Sequence, residues 1–363
     1  MRSVKAVIAP VGGPMNNNDL PFVSIIVVNY NGKHFLGECF ASLESSSYPR
    51  NRFEAILVDN ASSDDSVGFT MDRFPWVKVL RLDSNYGFCK PNNEGARIAR
   101  GEYLVFLNND TVVTKDWLSE LVKGALPDDK IVCCASKMLY YDRRDLVNTA
   151  GGKITPIGGG FYRGYGDKDS PEYNKLEYTG FGCGAGVLVR KSFFEQIGGF
   201  DEDYFAACEE HDLGWKSWLF GYKVLYVPTA VMYHKESGTF GRKGSYQPVK
   251  IYLSTRNRLY NLIKNFEAKN VVRNLLISLT FDLYRAIRYV GSGNFVLLKP
   301  VARAYLDFVL NLRKMLKKRS FVQKNRQVSD SQLYRLGVIA RLAECFTEER
   351  RLSKVLKDDF YRA

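Results

Sequence analysis

Two short segments of the 363-residue chain concentrate residue types that do chemistry. The stretch from Cys208 to Phe220, CEEHDLGWKSWLF, crowds Glu209, Glu210 and Asp212 at the start of a helix-like pattern whose apolar side is Leu213, Trp215, Trp218, Leu219 and Phe220. Acidic residues favour a helix N-terminus, which accounts for one or two carboxylates. Three in four positions is more than capping needs, and their repulsion is relieved only by a shared cation or proton. A carboxylate that holds a proton near its working pH is also a general base. The second segment, Asn108-Asn109-Asp110, follows the apolar run YLVFL. Its carboxylate suits a hard cation, Mg²⁺ or Mn²⁺, which would carry the phosphates of a nucleotide with it. The alternative is a helix cap before Thr111 to Leu121. His234 closes another apolar run, Val231-Met232-Tyr233, and is one of three histidines in the chain. It serves either as a structural imidazole or as a single neutral metal ligand.

Four apolar runs must position these groups: Val23 to Val28, Ala55 to Val58, Val77 to Leu82 and Tyr103 to Leu107. Short, β-rich, nearly continuous runs predict strands covered on both faces. Helix-length segments separate them, such as Lys33 to Glu44 and Asn92 to Ala99, so the pattern predicts a parallel α/β sheet with right-handed crossovers. Each run ends in Asn or Asp: Asn29-Tyr30-Asn31-Gly32, Asp59-Asn60, Asp83-Ser84-Asn85-Tyr86-Gly87 and Asn108-Asn109-Asp110. One such end is an ordinary turn. Four together predict a shared ligand site, because open α/β sheets bind ligands beyond the carboxyl ends of their strands. Residues 136–180 read as loop-rich, and a second ordered block runs from Gly180 to His234.

Composition narrows the classes. The chain is 45% hydrophobic, too apolar for wholesale disorder. No apolar run approaches the ~18 residues of a membrane span. Residues 1–21 lack an apolar signal core and read as a flexible lead-in. The seven cysteines form no C-x-x-C pair, which predicts reduced, buried thiols and a cytoplasmic location. Charge is uneven. Residues 250–363 hold 24 Lys and Arg against nine Asp and Glu, a net +15, whereas residues 1–249 carry −2. That tail reads as helical, with Val272, Leu275, Leu276, Leu279, Leu283, Ile287 and Val290 on one face and Arg273, Asn274, Asp282, Arg285 and Arg288 on the other. A basic amphipathic tail suits an anionic membrane face or packs on a neighbouring domain or subunit. No P-loop, nucleophile elbow, zinc spacing or nucleic-acid motif occurs, so no nucleic-acid partner is expected.

The segments VSIIVVNYNG, ILVDNASSDDS, NYGFCKPNNEGARIARGEYLVFLNND, IGGFDEDYF, EEHDLGWKSWLFGY and YVPTAVMYH, with the later Arg256-Asn257 pair, stand in the order seen in glycosyltransferase family 2. Over residues 22–260 the chain resembles the rhamnosyltransferase-like enzymes of surface-polysaccharide assembly. The resemblance implies a GT-A fold, with a catalytic domain over 22–249 and a basic helical region over 250–363. It implies an inverting, metal-dependent transfer from a nucleotide-diphosphate sugar to a glycan or lipid-linked acceptor. On that reading Asn29 and Asn31 contact the nucleotide, and Asp59 with Asn60 holds the base or ribose. Asn85, Gly87 and Asn93 shape the donor pocket. Asn108-Asn109-Asp110 takes the DXD position with Asp110 on the metal and His234 completing the metal site. Gly182, Cys183 and Gly184 line the acceptor cleft, and Glu210, or Glu209 beside it, is the base. Two positions depart from the family pattern: Asn108 replaces the first Asp of DXD, and Glu210 replaces an Asp. The first departure keeps open an alternative, a non-catalytic member that binds a sugar nucleotide or scaffolds a complex.

Overall fold

A computed structural model describes residues 20–236 and 247–355. The expected flexible lead-in falls, over residues 1–19, outside the described residues. The first half runs β1 (Val23–Asn29), α1 (Lys33–Glu44), β2 (Phe53–Asp59), α2 (Ser66–Arg73), β3 (Lys78–Arg81), α3 (Cys89–Ile98), β4 (Tyr103–Asn108), β5 (Thr111–Val113) and α4 (Trp117–Ala125). There follow β6 (Ile131–Tyr140), β7 (Val147–Thr149), β8 (Gly152–Ile154), β9 (Gly160–Tyr162), β10 (Glu177–Tyr178), β11 (Gly186–Arg190), α5 (Lys191–Gln196), α6 (Glu209–Leu219) and β12 (Lys223–His234). The remainder is helical: α7 (Gln247–Asn265), α8 (Ala268–Gly291), α9 (Leu298–Leu310), α10 (Leu312–Lys324), α11 (Asp330–Arg335) and α12 (Leu342–Val355).

One sheet organises the chain in the order β10-β12-β6-β11-β4-β1-β2-β3, with β5 on β12 and β7 on β6. The expected parallel arrangement holds for β3, β2, β1 and β4. Beyond β4 the sheet is mixed, because β11 lies antiparallel between β4 and β6. Alternate residues of β1 enter different cores, which explains the unbroken apolar runs. Ile26 packs with Ile56, Val58, Leu104 and Phe106 on one face; Ile25 and Val27 pack with Leu57, Val105 and Leu107 on the other. The edge strand β3 departs from the prediction, since none of its residues is fully buried. The first core also takes in Leu259, Leu262 and Phe266 of or next to α7, and Phe308, Met315 and Val322 from α9 and α10.

Two further expectations change. The residues after Asp110 form the short strand β5 rather than a helix, and α4 starts only at Trp117. Thr111 pairs with His234 in the sheet, and that pairing overrides any capping preference of the Asn-Asn-Asp triplet. The segment expected to be loop-rich begins inside β6, a strand buried along its whole length, and contributes β7 to β10. All seven cysteines carry free thiols, and Cys39, Cys89, Cys133, Cys134 and Cys208 are buried. Among the described residues no helix is long and apolar enough to cross a membrane.

Candidate active site

Strand register brings the polar ends together. Asn29 stands opposite Asp59 across β1 and β2, and Val28 opposite Asn108 across β1 and β4. Asn29 Oδ1 accepts from Asn109 Nδ2 at 2.7 Å, and Asn29 Nδ2 donates to Ser62 Oγ at 3.1 Å. Gly32 makes room for this approach, since a Cβ there would stand 2.2 Å from Asn109 Nδ2. Asn31, in the left-handed region at φ 51°, accepts the Ser63 N–H at 2.7 Å and shapes the loop after β2. Asn60 Nδ2 donates to Asn85 Oδ1 and to the Gly87 carbonyl, each at 2.8 Å, and Asn60 Oδ1 accepts the Tyr86 N–H. Asp59 Oδ2 accepts the Ser62 N–H, while the buried Asp59 Oδ1 has no protein partner. A buried acceptor without a donor calls for a ligand or water. Of the residues expected to surround a nucleotide, Asn93 lies apart from this network. It bonds the Phe200 backbone and Glu202, and so fixes the loop ahead of α6.

The pairing of β5 with β12 places His234 against Asp110. His234 Nε2 lies 3.3 Å from the Oδ1 of Asp110, which is 3% exposed. His234 Nδ1 lies 3.3 Å from Asn148 Oδ1, and Asn148 Nδ2 donates to Glu236 at 2.8 Å. An imidazole whose Nδ1 is held by an amide oxygen presents Nε2 as a lone pair, the usual way a ligating histidine is oriented. Among the described residues no group of three or more His, Cys, Asp or Glu is arranged to hold a metal ion. A carboxylate and an imidazole together fit a divalent ion that takes its remaining ligands from phosphates and water.

The three carboxylates of α6 divide. Asp212 is buried in an ionic cluster, 2.7 Å from Lys216, 3.0 Å from Lys264 and 2.9 Å from Asn265 Nδ2. Burial pushes its pKa up, yet the two lysines hold it below the ordinary carboxylate range. Glu209 is buried with Oε2 unpartnered; burial first and the adjacent Glu210 second raise its pKa well above the ordinary value. Glu210 accepts a 2.7 Å hydrogen bond from Tyr162 Oη, at the end of β9. Gly184 lies against it, since a Cβ at Gly184 would meet Glu210 Cβ at 3.9 Å. Cys183 is in contact with Tyr162, and burial pushes its thiol up to about 12. At the other end of this segment, the Ala185 carbonyl accepts the Asn108 N–H at 3.1 Å. Residues 182–185 therefore connect the Asn108-Asn109-Asp110 end of β4 to Glu210.

The loop that delivers α6 is strained. Phe205, Ala207 and Cys208 all have positive φ, at 62°, 74° and 70°. Such backbone persists only where its surroundings enforce it. Asn257 Nδ2, from α7, donates to the carbonyls of Tyr204, Ala206 and Ala207 at 3.0, 2.8 and 2.8 Å. Arg256 bonds the Asp203 carbonyl, and Asn261 the Cys208 carbonyl. The same loop touches the strand-end network. The Phe205 carbonyl accepts the Phe88 N–H at 2.6 Å, and a Cβ on Gly87, at φ 77°, would stand 2.3 Å from that oxygen. Tyr162, Asn148 and Asn257 carried no local sequence signal for these roles. Only the Arg256-Asn257 pair stood out, by resemblance. A surface depression among the described residues is lined by Asn93, Gly199, Phe200, Asp201, Lys264 and Lys318, around the ionic cluster rather than Asp110 or Glu210.

Residues 24–198 match the family model described as glycosyl transferase family 2. The chain is 26% identical over 247 residues to the N-acetylglucosaminyl-diphospho-decaprenol L-rhamnosyltransferase of Mycobacterium tuberculosis, covering 60% of this chain and 77% of that one. It is 31% identical over 230 residues to the O-antigen biosynthesis protein RfbC of Myxococcus xanthus, but spans only 18% of that protein. Among solved structures it is similar to Staphylococcus aureus TarS 1–349 in complex with UDP-GlcNAc, with TM-score 0.56, 18% identity and coverage of 87% and 90%. It is also similar to GalNAc-T7 with UDP, GalNAc and Mn²⁺, with TM-score 0.54, 18% identity and coverage of 69% and 49%.

Proposed function

We propose that this chain, whose residues 24–198 match glycosyl transferase family 2 and whose fold is GT-A, carries out an inverting sugar transfer from a nucleotide-diphosphate sugar to a hydroxyl of a glycan or lipid-linked acceptor. The observation that carries the reading is the placement of Glu210, bonded to Tyr162, on one end of the 182–185 segment whose other end holds β4 beside Asp110. Glu210 takes the proton of the acceptor hydroxyl. The new bond forms from that oxygen to the anomeric carbon, and the bond from that carbon to the diphosphate breaks on the opposite face. The transition state has oxocarbenium character, as in glycoside hydrolysis. Tyr162 keeps the Glu210 carboxylate aimed, whereas Glu209 is buried with Oε2 unpartnered and has no such positioning contact. Asp110 and His234 would hold a divalent ion, whose positive charge stabilises the departing diphosphate. The free Oδ1 of Asp59 suits a hydroxyl or N–H of the nucleoside. Asp212 holds α6 in place through Lys216 and Lys264. A lipid-linked acceptor and a role in surface-polysaccharide assembly are supported by the mycobacterial and myxobacterial relatives.

A thermal-shift screen of nucleotide sugars with and without Mn²⁺ tests the donor site. A ligand at 100 times its Kd stabilises the native state by about 2.7 kcal/mol. We expect metal-dependent stabilisation by one nucleotide class, lost in Asp110→Asn. If no nucleotide sugar stabilises the protein with either Mg²⁺ or Mn²⁺, the reading fails. Binding without any turnover or donor hydrolysis would favour the non-catalytic alternative.

A further inference from the structure

Helix α8 is amphipathic in the reverse sense. Its buried face is polar, with Asn274, Ser278 and Asp282 spaced at i, i+4 and i+8. Arg258 of α7, itself buried, pairs with both Ser278 and Asp282, and Tyr305 of α9 donates to Asp282 Oδ2 at 2.7 Å. The apolar stripe instead faces outward. Val272, Leu276, Leu279, Leu283, Ile287 and Val290 are all exposed, Ile287 at 63% and Val272 at 67%. At 3.6 residues per turn these six side chains fall within about 80° of one another around the helix. Phe295 and Val296 in the following turn, and Leu306, Val309 and Leu310 on α9, are exposed as well. Scattered exposed apolar residues are ordinary; a continuous row marks a surface that something covers.

Charge selects what covers it. Residues 268–324 contain twelve Lys and Arg and only two acids, Asp282 and Asp307. Both acids face protein partners: Asp282 meets Arg258, and Asp307 meets Tyr252 and Arg303. Lys269, Arg273, Arg288 and Arg303 are exposed on the helices that carry the stripe. A second copy would bring two positive fields together, and a nucleic acid would leave the apolar row uncovered. An anionic bilayer satisfies both features, with aliphatic side chains among the acyl chains and basic side chains at the headgroups. We propose that the outward face of α8, continued by Phe295, Val296 and the exposed side of α9, seats the protein on an anionic phospholipid surface, with α8 lying flat in the headgroup layer. The use of this seat rests on the transfer reading, since a lipid-linked acceptor is confined to such a surface. The seat itself does not require catalysis.

The test uses the full chain and vesicles of phosphatidylcholine alone or mixed with equal parts of phosphatidylglycerol, without donor or acceptor. We expect co-sedimentation with the anionic vesicles, weakened by salt. The triple substitution Leu279→Gln, Leu283→Gln, Ile287→Gln should reduce partitioning roughly a hundredfold. The thermal shift produced by the nucleotide sugar, measured without vesicles, should stay unchanged, which separates a failure here from a failure of the donor site. Equal partitioning of parent and variant would overturn the proposal. So would a parent that ignores anionic vesicles and forms a dimer that the triple substitution dissolves, which would assign the face to a second copy.

Discussion

Tyr162 Oη donates a 2.7 Å hydrogen bond to Glu210 Oε1, and this contact joins β9 to the first turn of α6. It distinguishes Glu210 from Glu209, whose Oε2 is buried without a partner. Removing a general base costs ~10²–10⁴ in rate. Glu210→Gln should lose turnover by that factor while keeping its thermal shift with donor. Tyr162→Phe keeps the carboxylate but loses its aim, so a smaller loss of about tenfold is expected. Steady-state kinetics on both variants check the ordering. A Glu210→Gln enzyme with near-parent kcat would remove Glu210 from the reaction.

Glu209 supplies a pH signature. Its folded-state pKa is raised, by burial first and by Glu210 second, above the ordinary value of 4.5. The unfolded chain therefore releases this proton at lower pH than the folded one. Stability falls as pH rises past the unfolded value, because the folded state then holds the extra proton. Glu209→Gln should be more stable than the parent at neutral pH and indistinguishable from it below about pH 4. Thermal denaturation of both proteins across pH checks this, and parallel profiles would contradict it.

Glu54 carries the opposite sign. The buried side chain accepts from Ser24 Oγ at 2.7 Å and from the Arg100 N–H at 2.8 Å, and pairs with Lys78 at 2.7 Å. Burial pushes its pKa up, but those bonds override it and hold the carboxyl at about 2. Its contribution is complete above the unfolded value and is lost as pH falls toward 2. Glu54→Gln should cost about 2–3 kcal/mol at neutral pH and flatten the acid limb of the stability curve. Urea unfolding at pH 7 and in acid measures both effects.

Asn257 holds the strained loop ahead of α6 through three carbonyls. Asn257→Ala removes this donor from the Ala206 and Ala207 carbonyls, at about 2–4 kcal/mol, while the Tyr204 carbonyl keeps the Ala206 N–H and Arg256. It should also lower kcat beyond any loss of folded protein, because Glu209 and Glu210 follow this loop directly. Ala207→Gly relieves the positive φ at that residue and should stabilise the chain by about 1 kcal/mol. A destabilised Ala207→Gly would show that the loop is unstrained. Urea unfolding and kinetics on the two variants provide the readouts.

What the sequence determined follows from local periodicity. Helix α1 occupies Lys33–Glu44 as expected, the strands ending at Asn29, Asp59 and Asn108 form where the apolar runs stand, and α6 and β12 carry Glu210 and His234 as read. Side-chain alternation and helical repeat are properties of neighbours in the chain, so they can be read there. Tertiary structure decided which of three adjacent carboxylates is which. Asp212 meets Lys264 from α7, Glu210 meets Tyr162, and Glu209 meets neither, through partners 52 and 48 residues away. It also decided the orientation of α8. The repeat of Leu276, Leu279, Leu283 and Ile287 defines an apolar face, but the contacts of Ser278 and Asp282 with Arg258 and Tyr305 hold the opposite face inward and leave that one outward. It likewise drew Lys318 and Arg319 of the basic tail into protein contacts, pairing Lys318 with Asp203 and Arg319 with the Phe266 carbonyl. Periodicity fixes what a surface is made of; long-range ion pairs and packing choose which surface is left to solvent.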